Sequence, residues 1–172
     1  MTNTKSNVLS NKSLLAILLL SMPLVFSSSL AWSHGDEHHA ASEETEFGKP
    51  GVLKDVTRTI DISMGDDMRF VPDRVNVKQG ETIRFVLKNT GTVKHEMILG
   101  TADELREHAE MMKKMPNMKH NDPSSVQVEP GKTGEIIWNF DLAGSFQFAC
   151  LMPGHLEAGM KGVVTVEASA TP

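Results

Sequence analysis

The chain has one cysteine, no tyrosine and no surplus of positive charge among its 172 residues. A single cysteine excludes an intrachain disulfide, so no disulfide framework can hold the fold. Lys and Arg number 17 against 22 Asp and Glu, a net charge of −5. No overall basic field exists to attract nucleic acid, and no nucleic-acid partner is expected. Long apolar runs are missing too: Leu14 to Phe26 is nearly continuous but has only 13 residues. A membrane-spanning helix needs about 20. Hydrophobic residues at 40% and charged residues at 23% exclude collagen, coiled coil and a wholly disordered chain. The length suits one domain with a tail. What the chain has in excess is thioether and imidazole, with 11 Met and 7 His. Those donors point toward metals.

The N-terminus reads as an address. Lys5 and Lys12 precede the apolar run, and no acidic residue comes before Asp36. Ala31-Trp32-Ser33 places small residues where a signal peptidase requires them, so cleavage is expected before His34. Residues 1–33 are therefore expected to be a cleaved signal peptide and the protein to be periplasmic, without a stable membrane anchor. Removing 33 residues that carry two Lys and no acid leaves 139 residues with net charge −7. An exported chain that keeps one unpaired Cys needs something to occupy it, and a metal–thiolate bond does so.

Residues 34–54 are polar and loose, holding His34, His38 and His39 among acidic residues. They read as a flexible tail. From Asp55 to the end, short alternating runs take over. Val75 and Val77, then Ile83, Phe85 and Leu87, Ile136 and Trp138, Phe146, Phe148 and Cys150, and Val164 and Val166 follow period 2, with Gly and Pro between. That pattern predicts an all-β sandwich or barrel over 55–172. One segment differs. Ala102 to Met115 reads as a Met-rich helix inserted between strands, with Thr101 as N-cap, Glu104 completing a capping box and Pro116 as stop. Leu105, His108, Met112 and Met115 fall on one face of it.

The strongest signal is Cys150-Leu-Met-Pro-Gly-His155-Leu-Glu-Ala-Gly-Met160, a C-x4-H-x4-M spacing between two predicted strands. His95 stands after another strand. Two His and one Cys with a weak axial Met make a trigonal copper site for electron transfer. Thiolate favours Cu(I), imidazole serves Cu(I) and Cu(II), and a thioether adds little to either. A trigonal arrangement therefore needs little rearrangement when an electron arrives or leaves. Zinc is the competing metal, but it rarely uses Met, and one Cys argues against a structural zinc cage.

From about Asp55 to Ala168 the chain resembles the cupredoxins, the small blue-copper proteins that include plastocyanin, azurin and rusticyanin. The residues that carry the resemblance are Met68-Arg-Phe-Val-Pro72, Val75 to Gly80, Asn89, His95-Glu96, Pro130-Gly131, Trp138, Gly144, and the Cys150 to Met160 motif with Gly162. The loop spacing is similar to the rusticyanin type. The resemblance implies a Greek-key β-sandwich with copper at one end, one type 1 site, and His95, Cys150, His155 and Met160 as ligands. Within that family the chain looks like the periplasmic CopI-like copper-tolerance group. His95 to Thr101, Leu105, His108-Ala109, the Met-rich helix, Met118 to Pro123 and the His-rich start carry this nearer likeness.

Met111, Met112, Met115 and Met118 with His108 and His120 are candidates for a second, exchangeable Cu(I) site. The alternative is that the helix Met residues simply pack the helix onto the sandwich. His34, His38 and His39 are candidates for Cu(II), with a free α-amine beside the first imidazole after cleavage. Two functions stand side by side. One is a monomeric periplasmic protein that captures and passes on copper for copper tolerance. The other is a soluble one-electron carrier between redox partners, docked through an apolar patch of Leu151, Met152, Pro153 and Leu156. An enzyme is not expected: Cys150 is flanked by Ala149 and Leu151, not by His residues that would reach further coppers, and no nucleophile elbow or phosphate loop is present.

Overall fold

The computed structural model describes residues 45–115 and 122–169. The expected signal peptide, His34, His38 and His39, and Met118 and His120 lie outside the described residues. The strands are β1 (Lys49–Pro50), β2 (Arg58–Gly65), β3 (Arg69–Val71), β4 (Arg74–Lys78), β5 (Thr82–Asn89), β6 (His95–Gly100), β7 (Ser125–Val128), β8 (Thr133–Asn139), β9 (Gly144–Ala149) and β10 (Lys161–Glu167), with helix α1 (Ala102–Lys114) between β6 and β7. They form two five-stranded sheets, in the orders β1-β8-β5-β2-β3 and β4-β10-β9-β6-β7. The β2–β5 and β4–β10 pairs are parallel, which places crossovers between the sheets. This is the expected all-β sandwich with one inserted helix.

The alternation written in the sequence becomes burial. In β5, Ile83, Phe85 and Leu87 are fully buried, and in β10 Val164 and Val166 face the same core. Trp138, Phe140, Phe148 and Phe70 fill the space between the sheets, with Phe70 edge-on to Phe148 at 5.1 Å. Apolar side chains from both inner faces make one continuous core, which is the main favourable term holding the sheets together.

The domain begins earlier than the sequence pattern suggests. Residues 45–54, placed with the tail, belong to the sandwich. Lys49 and Pro50 pair antiparallel with Asn139 and Trp138. Phe47 is buried, stacks on Trp138 with ring centroids 4.9 Å apart, and its carbonyl accepts the indole N–H at 3.0 Å. One apolar residue in a polar run gave no periodic signal, and the tryptophan that receives it is remote in sequence.

Helix α1 starts as expected. The Thr101 hydroxyl accepts from the Glu104 backbone N–H at 3.2 Å, and the Glu104 carboxylate accepts from the Thr101 N–H at 2.8 Å. Leu105 and Met112 are buried and His108 is half-buried, but Met115 is 48% exposed at the C-cap. Leu105 joins Ile98, Ala149 and Leu151 in a small second cluster, with Ala109 and Leu156 against it. The helix thus lies over the β6 and β9 end of the sheet, beside the Cys150 to Met160 loop. No helix among the described residues is long and apolar enough to cross a membrane.

Candidate metal centre

His95 opens β6 and Cys150 directly follows β9. These strands are sheet neighbours, with Ile98 opposite Ala149, so the register carries both residues to the same end of the sandwich. His155 arrives on the loop that leaves Cys150. That loop closes on itself through short hydrogen bonds. The His155 N–H donates to the Met152 carbonyl at 3.0 Å, and the Met160 N–H donates to the His155 carbonyl at 3.0 Å. The Cys150 N–H donates to the Met160 carbonyl at 3.1 Å, which brings the last residue of the motif back to its first. Outside the loop, the Arg69 guanidinium donates to the Ala158 carbonyl at 2.8 Å. Gly159 beside it adopts φ of 96°, a conformation that favours glycine.

One ligand atom each from His95, Cys150 and His155 lies within 4.8 Å of the others. Cys150 Sγ is 3.2 Å from His155 Nδ1, and the Nδ1 atoms of His95 and His155 are 3.2 Å apart. Both imidazoles therefore turn Nδ1 inward. His95, Cys150 and Met160 have no exposed surface, and His155 is half-buried. Of these four residues, His155 is the one that reaches solvent. Met160 is packed in the same core cluster as Cys150.

Burial sets the protonation of these groups. It pushes the Cys150 thiol up to about 11, against a smaller downward pull from the backbone amides of Glu96 and Met152. Burial pushes His95 and His155 below the usual imidazole range, and the neighbouring His95 lowers His155 further. Two neutral imidazoles offering lone pairs, and a thiol that surrenders its proton only to a cation, fit a soft or borderline metal ion. A fully buried thioether in the same loop fits a weak fourth contact better than it fits a zinc cage.

A family model for copper binding proteins of the plastocyanin/azurin family matches residues 56–167. The chain belongs to that family. It is 49% identical over 136 residues to the copper-resistant cuproprotein CopI of Rubrivivax gelatinosus, covering 77% of this chain and 82% of that one. It is 40% identical over 150 residues to the copper-resistant cuproprotein CopI of Pseudomonas aeruginosa, covering 70% and 82%. Among solved structures it is similar to dithionite-reduced auracyanin from Roseiflexus castenholzii, with 26% identity and TM-score 0.57, over 65% of this chain and 98% of that one. Auracyanin A, a blue copper protein from Chloroflexus aurantiacus, gives 25% identity and TM-score 0.54, over 63% and 98%. The chain is thus a CopI-like cupredoxin.

Three residues around the cupredoxin site were not singled out by sequence reasoning as functional. Asn89 is fully buried at the end of β5. Its side-chain amide donates to the Val93 and Val128 carbonyls at 2.8 and 2.9 Å, and its oxygen accepts the Gly91 N–H at 2.9 Å. It pins the loop that delivers His95. Glu96 is buried beside His95; its carboxylate accepts the Leu151 N–H at 3.0 Å and a Gln127 amide N–H at 3.2 Å. Asp66 accepts from Thr92 in the same loop. The signal available for Glu96 was a carboxylate placed inside the apolar run His95-Glu-Met-Ile-Leu99. Asp66 left no such trace, because its partner is remote in sequence.

The remaining Met and His residues divide. Met64 and Met97 are core residues with no exposed surface. On α1, Met112 is buried while Met111 and Met115 are 39% and 48% exposed. Leu151, expected on an apolar docking patch, is instead buried under α1. A groove of about 360 Å³ remains between α1 and the loop, lined by Ala109, Met112, Leu151, Met152, Pro153 and Leu156, with Lys113 and Glu157 at its edge.

Proposed function

We propose that the protein acts in copper resistance, binding copper through His95, Cys150 and His155 with Met160 as a weak axial contact. The convergence of the three ligand atoms within 4.8 Å carries this reading. Two copper-resistant relatives over most of their length support the biological role. A bound copper ion would supply one-electron exchange between Cu(I) and Cu(II). The chain supplies the rest. β6 and β9 fix two ligands on a rigid sheet, and the self-bonded loop fixes the third. The buried surroundings exclude water and keep both imidazoles neutral.

In this reading residues 1–33 direct export and the mature monomer works in the periplasm, without enzymatic turnover. His34, His38 and His39 would gather Cu(II). His108, Met111, Met112, Met115, Met118 and His120 would offer Cu(I) a second, exchangeable site, with the exposure of Met111 and Met115 in favour of it. A periplasmic copper-handling or redox protein would receive the metal or the electron. The second reading, a one-electron carrier, is favoured by one observation: His155 is the ligand nearest solvent.

Anaerobic Cu(I) titration of the mature chain against a competing chelator tests the proposal. Two or more tightly bound ions, with some retained in Cys150→Ser, support copper handling. A single ion, lost with the visible colour in Cys150→Ser, leaves the electron carrier.

A further inference from the structure

His95 turns Nδ1 toward Cys150 and His155, which leaves Nε2 facing the other way. Nε2 is completely buried and has no hydrogen-bond partner among the described residues. A buried imidazole N–H left unpaired is destabilising. A carboxylate stands close by: Asp66 Oδ1 is 3.8 Å from His95 Nε2. A closure of about 1 Å would make this a hydrogen bond.

The Asp66 carboxylate is held, not loose. The Thr92 backbone N–H donates to its two oxygens at 2.8 and 2.9 Å, and the Thr92 hydroxyl donates at 2.8 Å. The Val93 N–H adds a longer bond at 3.4 Å. Asp66 sits between β2 and β3, and Thr92 between β5 and β6, so the carboxylate fastens the loop that runs into His95. A side chain at Gly91 would collide with the Asp66 carboxylate, so the approach depends on glycine there.

We infer that Asp66 is a positioning residue for His95: its carboxylate accepts the Nε2–H that His95 carries when Nδ1 is given to copper, and its negative charge favours the more highly charged Cu(II). The inference rests on His95 being a copper ligand. A ring nitrogen's hydrogen bond fixes the tautomer and orientation of the other, and a fixed anion near a metal stabilises its higher charge. The Asp67 carboxylate, next in the chain, also favours positive charge at His95, more weakly than Asp66 does.

The test uses the chain from His34 to Pro172. In the copper-free protein, nitrogen NMR of the His95 ring is expected to show one tautomer with the proton on Nε2. Asp66→Ala is expected to mix the two tautomers. This readout needs no copper, so it stands apart from failure of the ligand assignment, which His95→Ala would expose by leaving the copper spectrum intact. In the loaded protein, Asp66→Asn keeps an oxygen for Thr92 but removes the charge. The ratio of Cu(I) to Cu(II) affinity is expected to rise several-fold, up to about tenfold, which is a midpoint higher by as much as about 59 mV for one electron. Thr92→Val loosens the loop but leaves the charge, and its midpoint is expected to stay near that of the parent. An unchanged tautomer in Asp66→Ala overturns the positioning role, and an unchanged midpoint in Asp66→Asn overturns the charge effect. A Thr92→Val midpoint as high as that of Asp66→Asn would assign the shift to loop anchoring and overturn the charge effect too.

Discussion

The backbone N–H of Glu96 points at Cys150 Sγ across 3.4 Å, while the Glu96 carboxylate accepts the N–H of Leu151, the residue after the cysteine, at 3.0 Å. One residue thus holds the sulfur from the backbone and the loop from the side chain. It couples the strand that carries His95 to the strand end that carries Cys150.

Removing the carboxylate separates these two roles. Glu96→Ala leaves the buried Leu151 N–H unsatisfied, at a cost of about 1–3 kcal/mol. Glu96→Gln keeps an acceptor for Leu151 and is expected to lose much less. Denaturant unfolding of the two copper-free variants checks the order. Equal losses would show that the charge, not the acceptor, matters there.

Loading should release a proton. The Cys150 thiol is pushed up to about 11 by burial, so at neutral pH the copper-free protein keeps that proton, while both imidazoles are already neutral. Cu(I) binding near pH 8 is expected to release one proton per ion, and its affinity to rise about tenfold per pH unit until the thiol itself ionises. Calorimetry in two buffers of different ionisation enthalpy counts the proton. The sign for stability follows from the same displacement. The unfolded thiol ionises near its ordinary value of 9.0 and the folded one near 11, so copper-free stability is full below pH 9. It falls by roughly 2–3 kcal/mol as pH rises through 11. A release of zero protons would mean that the thiolate already exists without metal.

The helix methionines test copper handling apart from packing. Met111 and Met115 are exposed and Met112 is buried. Replacing Met111 and Met115 together by Leu is expected to lower the number of Cu(I) ions bound while leaving the visible band and the unfolding midpoint unchanged. Met112→Ala is expected to cost about 2–5 kcal/mol through the cavity it opens. An unchanged Cu(I) count in the double variant would reduce the Met-rich helix to a packing element.

Much of this molecule was legible in the order of its residues. Period-2 burial in Ile83, Phe85 and Leu87 is a local pattern, and each strand reports its own inner face. The Thr101 and Glu104 capping box is equally local. Cys150, His155 and Met160 stand five residues apart, close enough for spacing alone to suggest a site, and His95 was added by the strand that ends before it. The partners of these candidate ligands were not legible. Asp66 meets Thr92 across 26 residues and Glu96 meets Leu151 across 55, through a register that only the two sheets define. Spacing put Met115 on the same helical face as Leu105 and Met112, but it is the C-cap residue and is 48% exposed, which spacing alone does not report.

The start of the domain offers the last test. Phe47 lies in a segment that reads as polar tail, yet it is 4% exposed and stacks on Trp138 at 4.9 Å. It also meets Phe146 at 6.4 Å, so it bridges β8 and β9, strands of opposite sheets. Its carbonyl is the acceptor for the buried indole N–H. Phe47→Ala keeps that carbonyl but empties the space between the sheets, and is expected to cost about 3–5 kcal/mol. Deleting residues up to Asp55 removes the carbonyl as well and leaves the Trp138 N–H unpaired, so it should destabilise by more than the point variant. Tryptophan fluorescence during denaturant unfolding reads both. If the shortened chain unfolds at the same midpoint as the chain from His34 to Pro172, residues 45–54 are a tail after all and the sandwich begins at Asp55.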